Sequence, residues 1–299
     1  MMSAIAIDPG FPGAGRVVRE LANISDNIKY QGPFRPLDHY DSDYVLLPAW
    51  HPSYQQISHP KKVVVWTSPI LQSEYTPVEF EFMQTIVKLL DEGKLYALWL
   101  GSKDWLSVMG SGRRAFYCPY PVTLPPPKMS APQNPPLNVS LFGPLSPRKN
   151  FAVQAFAAAK AGCHVHTTDQ RANSLLDTLG LRVPPYYHDW QIPPRYHDLV
   201  CSMDIGLQCS VPGSESFSYV VWDHISRGVP CLSTVEWTWD LGFPLFVTDP
   251  YNIDYLVYCI NSVASWSFLP KLRRWAEEFA ERRNETVKAI LETELGLKC

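Results

Sequence analysis

Short apolar runs alternate with stretches of helical periodicity along most of the chain. The runs "AIAID" (4–8), "YVLLP" (44–48) and "KVVVWTS" (62–68) are continuous apolar segments of strand length. The segment "PVEFEFMQTIVKLLDEG" (77–93) carries apolar residues at helical spacing and ends in a glycine. Continuous apolar strands that alternate with helices are typical of parallel sheets covered on both faces. The same pattern predicts further strands over 95–101, 138–143, 164–168, 204–209 and 230–234, and further helices over 16–24, 150–162, 171–180 and 268–296.

One proline-rich segment interrupts this alternation. Residues 119–137 hold eight prolines in nineteen positions, and such a segment forms a semi-rigid spacer because proline breaks helices and inner strands. The chain is therefore predicted to be an α/β protein with two Rossmann-like, doubly wound parallel-sheet domains. The predicted divisions are an amino-terminal domain (1–130), a linker region (119–137), a carboxyl-terminal domain (138–267) and a closing helix that packs back across the domains (268–299).

Composition narrows the class of protein without identifying it. The 299 residues are 46% hydrophobic, which is ample for packed cores, and the formal net charge of -3 differs from the basic balance of a dedicated nucleic-acid binder. The seven cysteines are scattered without a C-x-x-C pair, so reduced thiols are expected. An apolar run of about 18 residues that would span a bilayer is missing, and no signal peptide is recognised. We expect a cytoplasmic protein.

The loop after the predicted strand 138–143 carries the first candidate chemistry. Ligands of open parallel sheets bind at the carboxyl ends of the strands, and two such domains that face each other create a cleft. Here "PLSPRKN" places Arg148 and Lys149 just before a helix. Two cations beside free backbone N–H groups suit a phosphate. A solvated basic turn explains the same residues without a ligand.

The segment "SVPGSESFSYVVWDHISRG" follows the strand 204–209 and carries two acids. Gly213 allows a tight turn, and Ser214 or Ser216 can cap the helix that follows. Glu215 stands just before that helix and Asp223 lies eight residues later, a rise of about 12 Å in a helix. That distance matches the reach of a nucleotide sugar from its sugar, past the diphosphate, to its ribose. A capping acid and a surface acid on an amphipathic helix explain the spacing equally well.

Residues 139–234 resemble the carboxyl-terminal domain of retaining GT-B glycosyltransferases, the group that includes sucrose and mannosyl transferases. Those enzymes carry a strand, G-R-L, a lysine and a long helix, which "FGPLSPRKNFAVQAFAAAKAG" resembles. They also carry S-x-x-E-x-F-G-x-x-x-x-E-x-x-x-x-G-x-P-V, which "PGSESFSYVVWDHISRGVPC" resembles. The resemblance implies a GT-B fold and a UDP- or GDP-sugar donor. It also implies transfer with retention of configuration and no required metal or other cofactor, and the sequence has no clear D-x-D motif.

The resemblance also implies roles for individual residues. Lys149, with Arg148 beside it, would bind the diphosphate. Glu215 would bind hydroxyl groups of the donor sugar, and Asp223 would bind the ribose. The implied donor site also includes Gly143, Ser214, Ser216 and Phe217.

The amino-terminal half resembles the family more loosely. The segment "PGFPGAGR" is similar to the family's glycine-rich first loop, with Gly13 and Gly15 as the expected contacts to the donor. A nicotinamide cofactor is the less favoured interpretation, because its G-x-G-x-x-G spacing is absent here. Where the family often has a histidine, this chain has Thr67 or Ser68. His51 is a further candidate for the acceptor side, although a lone histidine is more often structural.

Three departures from the family pattern leave alternatives open. Pro144 stands where the family usually has arginine, Ser218 replaces the common glycine, and Asp223 is one methylene shorter than glutamate. A catalytically inactive nucleotide-sugar-binding scaffold and a sugar-nucleotide epimerase of GT-B architecture are the alternatives to a glycosyltransferase. The acceptor is open among a sugar, a small metabolite, a lipid and, on the basic-aromatic segment 110–120 alone, a hydroxylated DNA base.

Overall fold

The structure is a computed structural model, and it divides the chain into two compact units. Unit 1 comprises Met1–Thr123 and Glu278–Cys299, and unit 2 comprises Leu124–Glu277. The described residues are 2–8, 12–33, 40–48, 50–66, 77–126, 136–143, 145–169, 171–178, 186–188, 195–212, 217–264 and 269–299.

Unit 1 contains a six-stranded, all-parallel sheet. The strand order is β2-β1-β3-β4-β5-β6. The strands are β1 (Ala4–Asp8), β2 (Ile28–Pro33), β3 (Tyr44–Pro48), β4 (Lys62–Trp66), β5 (Ala97–Leu100) and β6 (Ala115–Tyr117). The helices described between these strands are α1 (Pro12–Ile24), α2 (Pro77–Asp91) and α3 (Asp104–Met109). The apolar runs of β3, β4 and β5 are buried almost throughout, as expected for inner strands between helical layers.

Unit 2 contains a five-stranded sheet that is also all-parallel. Its order is β11-β10-β7-β8-β9. The strands are β7 (Asn138–Leu141), β8 (His164–Thr167), β9 (Tyr186–Tyr187), β10 (Ile205–Gln208) and β11 (Cys231–Ser233). The helices are α4 (Phe151–Lys160), α5 (Arg171–Thr178), α6 (Arg195–Cys201), α7 (Tyr219–Ile225), α8 (Ile253–Ala264) and α9 (Leu269–Leu295), the last of which ends in unit 1.

The order of the second sheet creates a topological switch point between β7 and β10. From β7 the chain proceeds to β8 and β9 on one side, and then returns to β10 and β11 on the other. Connections on the two sides of a switch point diverge, so a crevice opens at the carboxyl ends of those two strands. Unit 2 is therefore expected to bind its ligand after β7 and β10.

The prediction of an α/β fold with two parallel sheets is confirmed. Strands β1 and β3 have the predicted bounds, and the helix predicted over 16–24 begins earlier, at Pro12. The other predicted strands and helices are present, and their ends agree to within two residues wherever the structure describes them. The sequence reading missed β2, β6, β9, the short helices α3 and α6, and α8. Strand β2 is an edge strand that pairs with β1 alone, and its sequence "IKYQGP" lacks a continuous apolar run.

The glycine-rich segment near the amino terminus differs from the prediction in one respect. Helix α1 begins at Pro12, so Gly13 and Gly15 lie in its first turn and not in a loop before it. Proline is favoured in a first turn because its missing N–H would have no partner in the helix there. None of the helices in the described ranges is both long and apolar enough to cross a membrane.

Candidate functional site

A recess lies at the switch point of unit 2, where β7 and β10 end. It is small, with a free volume of about 10 Å³, and it is partly open to solvent. Its lining comes from the end of β7, the turn and helix that follow, and the end of β10. The lining residues are Leu141, Phe142, Gly143, Lys149, Phe151, Gln154, Leu207 and Gln208. Lys149 and Gly143, both predicted donor-site residues, are thus brought together.

Lys149 lies on a short turn that is fastened at several points. Residues Pro147–Lys149 form one 3₁₀ turn, and Asn150 after it adopts a left-handed conformation with φ 50° and ψ 36°. The Asn150 side-chain Nδ2 donates to the carbonyl of Pro250 at 2.7 Å. The carbonyl of Arg148 accepts the N–H of Val211 at 2.8 Å. The backbone that carries both cations is therefore tied to the segment after β10.

Asn150 precedes α4 without capping it. Its side chain donates to carbonyl groups and makes no capping hydrogen bond to the start of the helix. The first N–H groups of an α-helix have no partner within the helix and carry a partial positive charge. The start of α4 therefore adds its partial charge to the turn that carries Lys149.

Gln154 connects this turn to β10. It is 2% exposed, and its Nε2 donates to the Lys149 carbonyl at 2.6 Å and to the Asn150 carbonyl at 3.2 Å. Its Oε1 accepts the N–H of Cys209 at 2.8 Å. Both ends of this amide therefore hold the Lys149 turn beside the end of β10.

The loop after β7 is anchored to the loop after β8. Gly143 has φ 113°, a conformation that side-chain-bearing residues avoid, and its N–H donates to Thr168 Oγ1 at 3.1 Å. The N–H of Leu145 donates to Asp169 Oδ2 at 2.7 Å. The Arg171 guanidinium, followed by the N–H groups of Leu145 and Arg171, holds the pKa of the Asp169 carboxyl well below its usual range. Asp169 is thus an ionised anchor for the loop.

Asp223 lies on α7 and is buried. Its exposure is 1%, and its Oδ1 accepts from Arg227 Nη1 at 3.1 Å; the same Nη1 donates to the Asp223 carbonyl at 3.0 Å. The carboxylate therefore has a fixed cationic partner inside unit 2. Its predicted role as a ribose ligand stays a prediction.

His224, the next residue, is fully buried. Its Nδ1 donates to the Val220 carbonyl at 2.7 Å, which leaves Nε2 as the nitrogen that faces the Ser140 hydroxyl, also at 2.7 Å. Burial lowers the pKa of His224 to about 4. The ring is therefore a neutral part of the interior and joins α7 to β7.

Phe217 packs into a stack of aromatic rings. Its ring centroid lies 4.9 Å from that of Trp237, and Trp237 in turn lies 6.0 Å from Trp275 with nearly parallel planes. Tyr219 meets Phe217 edge-on at 5.0 Å. This stack positions the start of α7 by apolar packing.

The remaining predicted residues divide into those in unit 1 and those outside the described residues. His51 is an exposed N-cap: its Nδ1 accepts from the N–H of Ser53 at 3.3 Å at the start of a 3₁₀ turn. A structural role thus accounts for it. The residues Thr67, Ser68, Pro144, Gly213, Ser214, Glu215 and Ser216 lie outside the described residues.

Sequence reasoning missed several residues that build the site. Gln154 gave a weak signal, since it is a polar residue in the otherwise apolar helix "FAVQAFAAAK". Gln208 ends the apolar strand β10, and Asp169 lies two residues after the end of β8. Parallel sheets place ligands near such strand ends. A search of the described residues finds no group of three or more His, Cys, Asp or Glu arranged to hold a metal ion.

These features define a parallel α/β protein of two units with a recess at a switch point, and the comparisons with known structures identify the fold as GT-B. A structure of Anabaena HepE in complex with UDP-glucose is similar over 99% of this chain and 100% of that chain, with a TM-score of 0.72 and 15% identity. Sucrose-phosphate synthase from Thermosynechococcus elongatus is similar over 98% and 96%, with a TM-score of 0.61 and 13% identity. A mutant of S. aureus TarM, crystallised with UDP among its ligands, is similar over 95% of this chain and 58% of its own, with a TM-score of 0.61 and 11% identity. At 11–15% sequence identity the structural likeness establishes the fold, and the predicted GT-B class is confirmed.

Neither the family models nor the curated proteins compared with this sequence gave a match.

Proposed function

We propose that this protein is a glycosyltransferase that moves a sugar from a nucleoside-diphosphate sugar to a hydroxyl group of an acceptor. The observation that carries the proposal is the position of Lys149 in the recess at the β7/β10 switch point. The full-length likeness to HepE, whose structures contain UDP-glucose or UDP and glucose, supports the same donor class. A UDP-sugar is accordingly the first donor to test, with GDP- and ADP-sugars beside it.

Lys149 and Arg148 would stabilise the diphosphate as it leaves. Negative charge builds up on the leaving group in sugar transfer, and cations fixed in advance stabilise that charge without reorganising during the reaction. The start of α4 adds its partial positive charge to theirs. The bonds from Gln154, Asn150 and Val211 keep the turn rigid, which is the property that such stabilisation needs.

We further propose retention of configuration, with the departing diphosphate taking the proton of the acceptor hydroxyl. Glu215 is the proposed ligand of the sugar hydroxyls. We also propose that the reaction needs no metal ion and that the protein acts in the cytoplasm. The acceptor stays open among the classes given above.

Binding of the donor is the direct test. Thermal shift is measured with UDP, GDP, ADP and one sugar derivative of each, because a ligand that prefers the folded state raises apparent stability. Release of the nucleoside diphosphate is then followed for any donor that binds. In Lys149→Ala we expect this release to fall by about 10²-fold or more, as for loss of a fixed charge-stabilising group.

Lys160→Ala is the matched control for that variant. Lys160 ends α4, the helix that follows the Lys149 turn; it is exposed, and it pairs with Asp254 at 2.5 Å on the surface. Its loss should leave donor binding and turnover unchanged. Wild-type turnover in Lys149→Ala would overturn the assignment of the recess as the diphosphate site.

One observation favours the inactive scaffold as a second candidate. Asp223 is engaged with Arg227, and the Gly143 N–H is engaged with Thr168, so two predicted ligand groups already have partners inside unit 2. Glycosyltransferases usually lose some donor to water even without an acceptor. Donor binding without any release of the nucleoside diphosphate would therefore favour the scaffold.

A further inference from the structure

Gln208 presents a buried acceptor atom without a partner at the recess. It is the last residue of β10, is 5% exposed and belongs to the lining of the recess. Its Nε2 donates to the Phe142 carbonyl at 2.7 Å. Its Oε1 is covered from solvent and has no hydrogen-bond partner among the residues that the structure describes.

The orientation of this amide is fixed by its neighbour. A carbonyl oxygen only accepts hydrogen bonds, so the atom that faces the Phe142 carbonyl must be the amide nitrogen. Turning the amide over would set two carbonyl oxygens against each other. The unpaired atom is therefore an acceptor, and the group that completes it must donate a hydrogen.

Of the two buried amides that line the recess, only Gln208 has an atom without a partner among the residues that the structure describes. Both are buried amides that line the same recess, yet Gln154 has partners for Oε1 and Nε2 alike. Buried polar atoms are nearly always paired, because an unmade hydrogen bond there is unfavourable. An exception at a ligand recess points to a partner that arrives with the ligand.

We propose that Gln208 is a specificity-determining residue whose Oε1 accepts a hydrogen bond from a hydroxyl group of the bound nucleotide sugar. This inference rests on the function proposed above. Phosphate oxygens are acceptors and would repel Oε1, so Lys149 meets the diphosphate while Gln208 meets a hydroxyl next to it. The hydroxyl belongs either to the ribose or to the transferred sugar.

The test measures affinity and stability in Gln208→Met, which has a similar volume and no amide. We expect the dissociation constant for UDP-glucose, or for whichever donor the thermal-shift screen identifies, to rise about tenfold, which corresponds to about 1.4 kcal/mol. We expect the Tm of the free protein to change little, since the lost bond to Phe142 is offset by removal of an unpaired acceptor. Gln208→Leu is a second variant in case methionine packs poorly.

Asn284→Leu is the control for losing an amide that is fully paired. Asn284 lies in unit 1, donates to the Val122 carbonyl at 2.8 Å and accepts its N–H at 3.0 Å. Its loss should lower the Tm of the free protein and leave donor affinity unchanged. If Gln208 had only a structural role, Gln208→Met would likewise lower the Tm and leave donor affinity unchanged.

Comparing the nucleoside diphosphate with its sugar derivative shows whether the hydroxyl belongs to the ribose or to the transferred sugar. An equal loss of affinity for the nucleoside diphosphate and for its sugar derivative places the hydroxyl on the ribose. A loss for the sugar derivative alone places it on the sugar. Unchanged affinity for both in Gln208→Met, while the wild-type protein binds them, overturns this inference alone. A wild-type protein that binds no nucleotide or nucleotide sugar overturns the proposed function and this inference with it.

Discussion

Asp223 and Arg227 form an ion pair one helical turn apart inside unit 2. The Oδ1–Nη1 distance is 3.1 Å, and the two side chains are 1% and 5% exposed. A buried guanidinium without a carboxylate partner is strongly unfavourable. The pair therefore contributes to the stability of α7 and of the turn after it, whatever else Asp223 does.

Removing the carboxylate should destabilise the free protein. In Asp223→Ala the Arg227 guanidinium loses its carboxylate partner and keeps the backbone carbonyl, and we expect the free energy of unfolding to fall by about 3–5 kcal/mol. Asp223→Asn keeps an oxygen that can accept from Arg227 and should lose less. Urea denaturation without ligand measures both variants. If Asp223 served the donor alone, both would unfold like the wild type and would differ only in donor affinity.

Gln154→Leu should weaken the support of the Lys149 turn. Leucine has no amide, so the Cys209 N–H loses its acceptor and the Lys149 carbonyl loses its donor. Each unmade buried bond costs about 1–3 kcal/mol, so we expect a loss of about 2–4 kcal/mol in total. Urea denaturation at constant m-value reports the loss. A variant as stable as the wild type would show that the turn does not depend on this amide.

The sequence predicted most of the strands and helices, but few of the contacts between them. Continuous apolar runs such as β1 and β3 were found with their bounds, because such runs depend on burial alone. The edge strand β2 was missed because its sequence lacks a continuous apolar run, and helix α8 was missed although "IDYLVYCINSVA" has apolar residues at helical spacing. Local hydrophobic pattern therefore identified the fold class.

The candidate site was predictable only in part, for the same reason. Lys149 was found because a cation before a helix is a local signal. The pairing of Asp223 with Arg227 also has a local signal, the i, i+4 spacing of opposite charges. The bonds of Gln154 to Cys209 and of Gln208 to Phe142 join residues 55 and 66 positions apart. No local pattern reports contacts of that kind.

The free energy of unfolding should decrease as the pH is lowered below about 6.5. Burial lowers the pKa of His224 to about 4; the hydrogen bond to the Val220 carbonyl and the Asp223 charge raise it by smaller amounts, and the Arg227 charge lowers it. The unfolded state therefore binds the proton first as the pH falls from about 6.5 to about 4, and protonation favours unfolding in that window. His166 shifts in the same direction, because burial lowers its pKa to about 4 as well.

His224→Gln isolates the contribution of one ring. We expect the free energy of unfolding to decrease by about 3 kcal/mol less between pH 7 and pH 4 in this variant than in the wild type, at about 1.36 kcal/mol per pKa unit. The residual slope belongs to His166 and other groups. Urea denaturation at several pH values measures the difference. Parallel pH profiles for the two proteins would contradict the assignment to His224.

Gly206→Ala should disturb the switch point through the packing of β10 against α7. A methyl group at Gly206 would lie 2.7 Å from His224 Cδ2 and 2.8 Å from Cys231 Sγ, which are both buried. Overpacking of this kind costs about 1–3 kcal/mol, because the histidine ring is held at both nitrogens and cannot move freely. Gly32→Ala is the matched control, since Gly32 also lies in a strand and nothing stands within 4 Å of its added methyl group. Denaturation should therefore separate the two variants, and equal stability would show that β10 can shift to admit the methyl group.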